Sequence, residues 1–242
     1  MKGIILSGGS GTRLQPLTKV TSKQLLPVYD KPMIMYPLSH LINAGIKDIL
    51  IIVAPDHCGD YMKLLGSGKE LGVRFTYEIQ DKPEGLAQAF IIGENFLDDG
   101  DNVCLILGDN IFEDDISVSV KDFSRGAKIF VKEVPEEDRS RLGIVEFDED
   151  SKVLSIEEKP EKPKSSFAQT GIYIYDKQAV EAVKGQKPSA RGELEITDLN
   201  NWYLAKGELQ AEILKGDWID AGTFDSLYKA TQLAYKKAKE NT

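Results

Sequence analysis

A glycine-rich segment directly after the first apolar run constrains this sequence more than any other feature. Residues 2–6 read KGIIL, which is typical of a short buried strand, and residues 7–13 continue as SGGSGTR. Three glycines let the backbone turn sharply and expose successive N–H groups, which together can cradle an anion. Arg13 adds a fixed cation beside that cradle, and Lys23 follows in the sequence SKQLLP. The segment therefore predicts a polyphosphate-binding site at the carboxyl end of the first strand.

Neither of the two common phosphate-binding loops fits this segment. It lacks the Gly-Lys-Ser/Thr ending of a P-loop. Leu14 stands where the dinucleotide-binding fingerprint has its third glycine, and Pro16 disfavours a helix that begins immediately. A tight turn without a ligand stays open as the alternative, since glycine-rich turns after strands are common. If the segment binds a nucleotide, it does so by another design.

Strands and helices alternate through the first half of the sequence. The apolar patterns predict strands at 2–6, 49–54, 75–80, 103–107 and 128–134, and helices at 33–43 and 86–97. This alternation is typical of a doubly wound α/β fold with a mixed, mostly parallel sheet, which binds ligands beyond the carboxyl ends of its strands. Gly108, Asp109 and Asn110 follow the fourth predicted strand, so we expect them to face the glycine-rich segment.

The second half of the sequence has a more β-rich pattern. We predict strands at 144–147, 153–157 and 171–175, with few helices between them. Two helices are predicted to follow, at 195–205 and 224–239. No linker separates the halves, so we expect a single domain over residues 1–242, in which a smaller β-rich portion lies against the first half. The charged runs at 136–141 and 161–166 are predicted to be solvated.

Composition limits the classes of partner. The chain has a formal net charge of −9, and an acidic protein repels nucleic acid. We find no apolar run as long as a membrane span and no signal-peptide pattern, so we expect a cytoplasmic protein with no membrane partner. Cys58 and Cys104 lie in or beside apolar segments, where two cysteines read as small buried side chains rather than as a disulfide framework.

Seven motifs stand out along the sequence. They are GGSGTRL at 8–14, SKQLLPVYDKPMIMYPLS at 22–39, GLAQAF at 85–90, LGDN at 107–110, EEKP at 157–160, GELEITD at 192–198 and WIDAGT at 218–223. Together they resemble the sugar-nucleotidyltransferases, and most of all the glucose-1-phosphate thymidylyltransferase group. The sequence resembles a short form of this group, one that stops before the further C-terminal helices of longer members.

The resemblance implies a reaction of dTTP with glucose 1-phosphate that gives dTDP-glucose and pyrophosphate, the first step of dTDP-rhamnose or other deoxysugar synthesis. It implies Mg²⁺ as the cofactor, held by Asp109 and Asp220, and catalytic roles for Arg13, Lys23, Asp109 and Lys159. We further expect a homo-oligomer. Two alternatives stay open: a UTP-glucose-1-phosphate uridylyltransferase, which Gln24 disfavours because those enzymes tend to have glutamate there, and a catalytically inactive regulatory subunit that binds nucleotide.

The implied contacts divide between a nucleotide-binding part, about 1–110, and a sugar-phosphate-binding part, about 111–242. Nucleotide contacts are implied for Leu6, Gly8, Gly9, Gly11, Thr12, Arg13, Lys23, Gln24, Gln80, Gly85, Asp109 and Asn110. Sugar-phosphate contacts are implied for Asn110, Gly143, Glu158, Lys159, Gly171, Arg191 and Glu193. Relatives usually have tyrosine where this chain has Leu142, which leaves the exact sugar preference open.

Three of these residues also have simpler explanations. Asp109 suits a turn, Lys159 suits an exposed surface, and Gln80 suits an exposed strand end. The functional interpretation of Asp109 is that Mg²⁺ prefers one or two carboxylates together with substrate phosphates. That of Gln80 is that a carboxamide both donates and accepts, as the imide edge of thymine or uracil requires.

Overall fold

The structure is a computed structural model that describes residues 1–97 and 100–240. Its strands are β1 (Lys2–Ser7), β2 (Pro27–Val28), β3 (Lys31–Pro32), β4 (Asp48–Val53), β5 (Arg74–Ile79), β6 (Val103–Leu107), β7 (Asn110–Phe112), β8 (Ala127–Glu133), β9 (Gly143–Phe147), β10 (Val153–Glu158), β11 (Phe167–Tyr175), β12 (Leu209–Ile213) and β13 (Trp218–Asp220). Its helices are α1 (Met35–Asn43), α2 (Cys58–Leu65), α3 (Gln88–Ile92), α4 (Ser117–Asp122), α5 (Glu136–Arg139), α6 (Ala179–Lys184), α7 (Ile196–Ala205) and α8 (Phe224–Glu240).

The central sheet joins both halves of the chain. Its strand order is β10-β9-β11-β6-β1-β4-β5, and β8 pairs with both β11 and β12. Strands β6, β1, β4 and β5 are mutually parallel. Strand β11 pairs antiparallel with β6 and extends the sheet into the β-rich half, where β12 pairs parallel with β8. The predicted mixed α/β sheet is confirmed.

Side chains of the parallel strands alternate between two buried faces of the sheet. In β1, Ile4 and Leu6 pack with residues of α3, α6 and α7 on one face. Ile5 packs with residues of α1 and α2 on the other face. Because helices cover both faces, these strands appear in the sequence as continuous apolar runs rather than as alternating patterns.

The predicted helix at 86–97 is wrong in its extent. Helix α3 covers Gln88–Ile92, and Gly93 caps it. The amide of Ala87 donates to the carbonyl of Leu194 at 3.1 Å instead of starting the helix. After Gly93 the chain continues in hydrogen-bonded turns to Leu97, whose amide donates to the Gly93 carbonyl at 2.9 Å. The helix is therefore shorter than predicted at both ends, with a tertiary hydrogen bond just before it and a glycine just after it.

The strand predicted at 103–107 is β6 with the same bounds, and the other predicted elements are found with shifted ends. The helix predicted at 33–43 begins at Met35, and Gly45 follows it with a left-handed φ of 83°. The strand predicted at 171–175 is longer, since β11 covers Phe167–Tyr175. The run at 136–141, predicted to be solvated, is largely exposed and contains the short helix α5. Helices α2, α4, α5 and α6 and strands β2, β3, β7, β12 and β13 were not predicted.

Two arrangements position the functional residues. Strands β1 and β6 are neighbours, so the segments after their carboxyl ends lie side by side. Strand β13 pairs antiparallel with β7, which brings the WIDAGT motif to the Gly-Asp-Asn turn. Within the described part of the chain, no helix has the length and apolar character needed to cross a bilayer.

Candidate active site

Lys23 and Asp109 form an ion pair at the carboxyl ends of two adjacent strands. Strands β1 and β6 pair in parallel with Leu6 opposite Leu107. Lys23 begins a 3-10 turn, and its Nζ donates to Oδ2 of Asp109. The two side chains are only 10% and 15% exposed. Asp109 is therefore more than a solvated turn residue, because it holds a buried cation next to the glycine-rich segment.

Burial and attraction act in opposite directions on this pair. Burial works to raise the pKa of Asp109, but the charge and hydrogen bond of Lys23, together with hydrogen bonds from Asn110 and the backbone, outweigh it, and the pKa is lowered. Burial likewise works to lower the pKa of Lys23, but attraction to Asp109 outweighs it, and the pKa is raised. Both groups are therefore charged at neutral pH.

Asp220 reaches the same place from the other end of the chain. It lies opposite Asn110 in the β7–β13 pair, and the Ala221 amide donates to the carbonyl of Asp109 at 2.9 Å. Its Oδ1 is buried without a hydrogen-bond partner. Burial, followed by repulsion from Asp109, raises the pKa of Asp220 to about 6. An unpartnered carboxylate oxygen beside a second carboxylate indicates a place for a cation.

The two carboxylates suit a divalent cation that is shared with a substrate. Among the described residues, no group of three His, Cys, Asp or Glu side chains could hold a metal ion alone. Mg²⁺ does not require such a group, because it commonly takes one or two carboxylates and completes its shell with waters and substrate phosphates. Asp109 and Asp220 therefore fit Mg²⁺ bound together with a nucleotide.

Arg13 supplies a second cation beside the carboxylates. Thr12 and Arg13 begin a 3-10 turn after the glycines, and both are exposed. A Cβ atom at Gly222 would lie 2.7 Å from Nη2 of Arg13 and 2.9 Å from Oδ1 of Asp220. Glycine at position 222 thus lets the guanidinium and the carboxylate approach each other. The arrangement surrounds the carboxylate pair with two cations, which suits a polyphosphate.

Gly8 and Gly11 are glycines for different reasons. A Cβ atom at Gly8 would lie 2.0 Å from Oε1 of Gln80, so the missing side chain lets Gln80 contact the segment. Gly11 has a left-handed φ of 62°, and its carbonyl accepts a hydrogen bond from Oγ1 of Thr18 at 2.8 Å. L-residues other than glycine rarely adopt that conformation. The turn predicted from the three glycines is therefore present.

A cavity of about 220 Å³ lies between the glycine-rich segment after β1 and the Gly-Asp-Asn turn after β6. The predicted nucleotide-binding residues along its wall are Leu6, Gly9, Lys23, Gln24, Gln80, Gly85 and Asp109, and Glu193 joins them from the second half. Larger cavities of about 980 and 580 Å³ lie elsewhere and contain none of the predicted site residues.

Gln80 and Gly85 are fixed on one side of this cavity. Gln80 is 3% exposed, so its interpretation as an exposed strand end is wrong. Its Nε2 donates to Oε1 of Gln88 at 2.6 Å. Gly85 has a φ of 110°, and a Cβ atom there would lie 2.3 Å from the carbonyl oxygen of Leu194. Glycine therefore lets the GLAQAF motif pack on the backbone of the GELEITD motif.

Glu158 is held from two sides at the end of β10. Oγ1 of Thr197 donates to its Oε2 at 2.5 Å, and Nη2 of Arg191 donates to its Oε1 at 3.2 Å. Arg191 is bound more closely by Glu195, at 2.8 Å, and lies 3.6 Å from Glu193. The charge of Arg191 is therefore largely neutralised by carboxylates of the protein, and one of its roles is to orient Glu158.

Lys159 combines a fixed backbone with an accessible ammonium group. Its φ of 47° is left-handed, and its amide donates to the carbonyl of Leu142 at 3.0 Å. Its side chain is 43% exposed and lies 3.7 Å from Oε1 of Glu158. Gly143 pairs with Glu158 across β9 and β10, and a Cβ atom there would lie 2.1 Å from Nε2 of Gln169. The ammonium group is thus available to an anion at this end of the sheet.

Asn110 has both ends of its amide bound. Its Nδ2 donates to Oδ1 of Asp109 at 2.8 Å, and its Oδ1 accepts from Nε1 of Trp218 at 2.6 Å. A Cβ atom at Gly171 would lie 2.6 Å from Cγ of Asn110. Gly171 therefore leaves room for this amide, and the protein sets its orientation.

Sequence reasoning missed several side chains that orient the site. Trp218 and Thr197 lie inside quoted motifs, so motif membership was a signal that they take part. Gln169 had no such signal, yet its Nε2 donates to Oγ1 of Thr197 at 2.5 Å. Its Oε1 in turn accepts from Nδ2 of Asn200 at 2.9 Å. These hydrogen bonds depend on β11 and α7 lying side by side, which the sequence pattern does not specify.

Comparison with known sequences identifies relatives along nearly the whole chain. Residues 2–237 match the family model described as nucleotidyl transferase. The chain is 56% identical over 236 residues to the glucose-1-phosphate thymidylyltransferase of Neisseria gonorrhoeae, and the match covers 95% of this chain and 81% of that protein.

Solved structures give the same result for the fold. A structure described provisionally as a glucose-1-phosphate thymidylyltransferase from Bacillus anthracis, in complex with sucrose, has a TM-score of 0.91 and 51% identity. The match covers 97% of this chain and 95% of the chain in that structure. A UDP-glucose pyrophosphorylase complexed with UDP-glucose has a TM-score of 0.85 and 25% identity, and covers 98% of each chain.

Proposed function

Since this chain belongs to the nucleotidyl transferase family and matches its glucose-1-phosphate thymidylyltransferase members, we propose that it transfers the thymidylyl group of dTTP to α-D-glucose 1-phosphate. The products are dTDP-glucose and pyrophosphate. Such a product supplies dTDP-rhamnose or other deoxysugar synthesis for polysaccharides.

The meeting of Lys23, Asp109 and Asp220 carries this proposal. The three residues come from three separate motifs and meet beyond the carboxyl ends of β1 and β6. A buried carboxylate pair with one unpartnered oxygen and an adjacent lysine has little value for folding, because buried charges are costly. It has a clear use if a metal-bound triphosphate occupies the site.

The reaction needs alignment of two anions rather than a general base. A phosphate oxygen of glucose 1-phosphate already carries negative charge at neutral pH, and it attacks the α-phosphorus of dTTP. The bond from the α-phosphorus to the bridging oxygen breaks, and pyrophosphate leaves with that oxygen's electron pair. Arg13 and Lys23 neutralise the triphosphate and the leaving group, while Lys159 holds the attacking phosphate in line.

Mg²⁺, when bound, would neutralise charge on the reacting phosphates. Asp109 and Asp220 would hold it, and Lys23 keeps Asp109 ionised for that purpose. We propose that residues about 1–110 bind the nucleotide and residues about 111–242 bind the sugar phosphate. On the sugar side, Glu158 accepts hydrogen bonds from sugar hydroxyls because Thr197 and Arg191 fix its orientation.

Pyrophosphate release, measured by a coupled assay, tests the proposal. Release should require dTTP, glucose 1-phosphate and Mg²⁺ together, and omission of any one should abolish it. The variant Lys23→Ala should lose activity, and its far-UV circular dichroism spectrum, compared with that of the wild type, shows whether the fold is kept. If no sugar 1-phosphate supports release at saturating dTTP and Mg²⁺, the chain does not catalyse this reaction.

The uridylyl enzyme is the second candidate, favoured by the likeness to the UDP-glucose pyrophosphorylase structure. One methyl group in an apolar pocket is worth only about 1–3 kcal/mol of discrimination. Comparison of kcat/KM for dTTP and UTP separates the two, and we expect UTP to be the weaker substrate. A catalytically inactive regulatory subunit would bind dTTP without any release of pyrophosphate.

A further inference from the structure

Three buried polar side chains meet beneath the nucleotide cavity. Gln24 is 3% exposed, Ser22 is 5% exposed and Tyr61 is fully buried. Oγ of Ser22 donates to Oε1 of Gln24 at 2.8 Å, and the Tyr61 hydroxyl lies 2.8 Å from Oγ of Ser22. The Tyr61 hydroxyl also donates to Oε1 of Gln24 at 3.3 Å. Each hydroxyl group has one proton: that of Ser22 goes to Oε1 of Gln24, and that of Tyr61 is shared between Oγ of Ser22 and the more distant Oε1, so both groups hold the carbonyl end of the amide in place.

The other end of the amide is left for the cavity. Gln24 lines the cavity wall together with Gln80 and Asp109, whereas Tyr61 and Ser22 do not line it. An amide presents an acceptor at one end and two donors at the other. Because Oε1 is bound from below, Nε2 is the polar atom that Gln24 presents to a ligand.

The hydroxyl of Tyr61 is a reliable donor in this position. Burial raises the pKa of Tyr61 to about 12, so the hydroxyl keeps its proton at neutral pH. Helix α2 carries Tyr61 and packs on the face of the sheet formed by Ile5 and Ile51. The helix thus places a rigid donor under the SKQLLP motif, although α2 itself contributes no side chain to the cavity wall.

We propose that Tyr61 is a positioning residue, which with Ser22 fixes the Gln24 amide so that it presents only N–H donors to the nucleotide. The inference rests on the proposed function, since it assumes that the cavity receives dTTP. The nucleotide accordingly has an acceptor atom opposite Nε2. Without the hydroxyl groups the amide can rotate and present either Nε2 or Oε1 to the nucleotide. When Oε1 faces the acceptor atom of the nucleotide, two acceptors oppose each other and binding is weaker.

Equilibrium titration with dTTP and Mg²⁺ tests the proposal without depending on turnover. Tyr61→Phe removes the hydroxyl and keeps the ring, and we expect dTTP binding to weaken about threefold to tenfold. Gln24→Ala should weaken it at least as much. In the double variant the Tyr61→Phe change should have less than about a twofold further effect, because both changes remove one interaction. The KM for glucose 1-phosphate should stay unchanged in Tyr61→Phe.

Tyr77→Phe is the matched control. The Tyr77 hydroxyl donates at 2.6 Å to the carbonyl of Gly66, which caps α2, so this variant perturbs the same helix away from the cavity. Its dTTP binding should equal that of the wild type. If Tyr61→Phe does not fold, Ser22→Ala removes the other hydroxyl from the same oxygen and should give the same pattern.

Two results with the variants would overturn the proposal. One is dTTP binding by Tyr61→Phe equal to that of the wild type. The other is a double variant whose loss is the product of the two single losses, since Tyr61 would then act independently of Gln24. A wild type that binds dTTP without releasing pyrophosphate would overturn the proposed function alone, and a wild type that binds no dTTP would overturn both.

Discussion

Asp220 lies beside Asp109, far away in sequence, because strand β13 pairs with strand β7. The register places Asp220 opposite Asn110, and the amide after Asp220 donates to the Asp109 carbonyl at 2.9 Å. Repulsion between the two carboxylates contributes to raising the pKa of Asp220 to about 6, after burial. Backbone pairing thus forces together two charges that would otherwise separate, and a bound cation would relieve the repulsion.

Asp109→Asn should reduce turnover by at least about 10²-fold, the scale of losing one strong contact to the transition state. The change removes a charge that holds Lys23 and faces Asp220, while it keeps the size of the side chain. Steady-state pyrophosphate release at saturating Mg²⁺ measures the loss. Asp48→Asn is the control, because Asp48 is also ion-paired, to Arg74 at 2.6 Å, but it lies at the amino end of β4 and not at the carboxyl ends of the parallel strands. Near wild-type turnover of Asp109→Asn would reduce Asp109 to a structural turn residue.

Arg13→Ala and Lys159→Ala should affect different substrates. Arg13 lies beside Asp220 and Gly222, whereas Lys159 lies beside Glu158 at the end of β10. We therefore expect Arg13→Ala mainly to impair use of dTTP and Lys159→Ala mainly to raise the KM for glucose 1-phosphate. Kinetics with each substrate varied in turn would measure both effects. Equal defects toward both substrates in both variants would argue against this division.

The fold was predictable where one segment contains its own signal. The runs that form β1, β4 and β6 are apolar because both faces of the sheet are covered, and that pattern is visible in the sequence. Helix α3 shows the limit. The segment before it packs on Leu194, to whose carbonyl the Ala87 amide donates, and no local propensity encodes a partner that distant.

The chemistry of the site was likewise more predictable than its geometry. The motifs indicated which charged residues belong to the proposed site, but not how their side chains are oriented. Asn110 is oriented by Trp218, which lies 108 positions away, and Glu158 by Thr197, which lies 39 positions away. Such contacts follow from strand pairing and helix packing. They become visible only when the complete fold is known.

Gly85→Ala should lower the free energy of unfolding by more than about 2 kcal/mol. The new Cβ atom would lie 2.3 Å from the carbonyl oxygen of Leu194, which is backbone and cannot move aside cheaply, and φ at this position is 110°. Gly72→Ala is the control, since Gly72 also has a left-handed φ, of 70°, but its Cβ atom would meet nothing within 4 Å. Gly72→Ala should lower the free energy of unfolding by only about 1 kcal/mol. Urea unfolding of both variants measures the difference, and equal costs would show that close approach to Leu194 is unimportant.

Asp176→Asn should lower the free energy of unfolding at neutral pH, and the difference from the wild type should shrink in acid. Asp176 accepts hydrogen bonds from the Gly126 amide at 2.8 Å, from Gln178 at 3.0 Å and from the Tyr203 hydroxyl at 2.8 Å. Burial works to raise its pKa, but these hydrogen bonds outweigh it, and the pKa is lowered.

Because the folded state lowers the pKa of Asp176, its contribution is complete above the unfolded value of about 3.9 and disappears as the pH falls through the lower folded value. The variant should therefore be about 1–3 kcal/mol less stable than the wild type near neutral pH. Urea unfolding of both proteins at a series of pH values from about 7 down to about 2 measures the difference in free energy of unfolding between them, which should narrow only below the unfolded pKa of about 3.9. Other carboxylates titrate in both proteins, so the difference between them isolates Asp176. A gap of constant size would mean that the charge of Asp176 contributes nothing beyond its hydrogen-bonding shape.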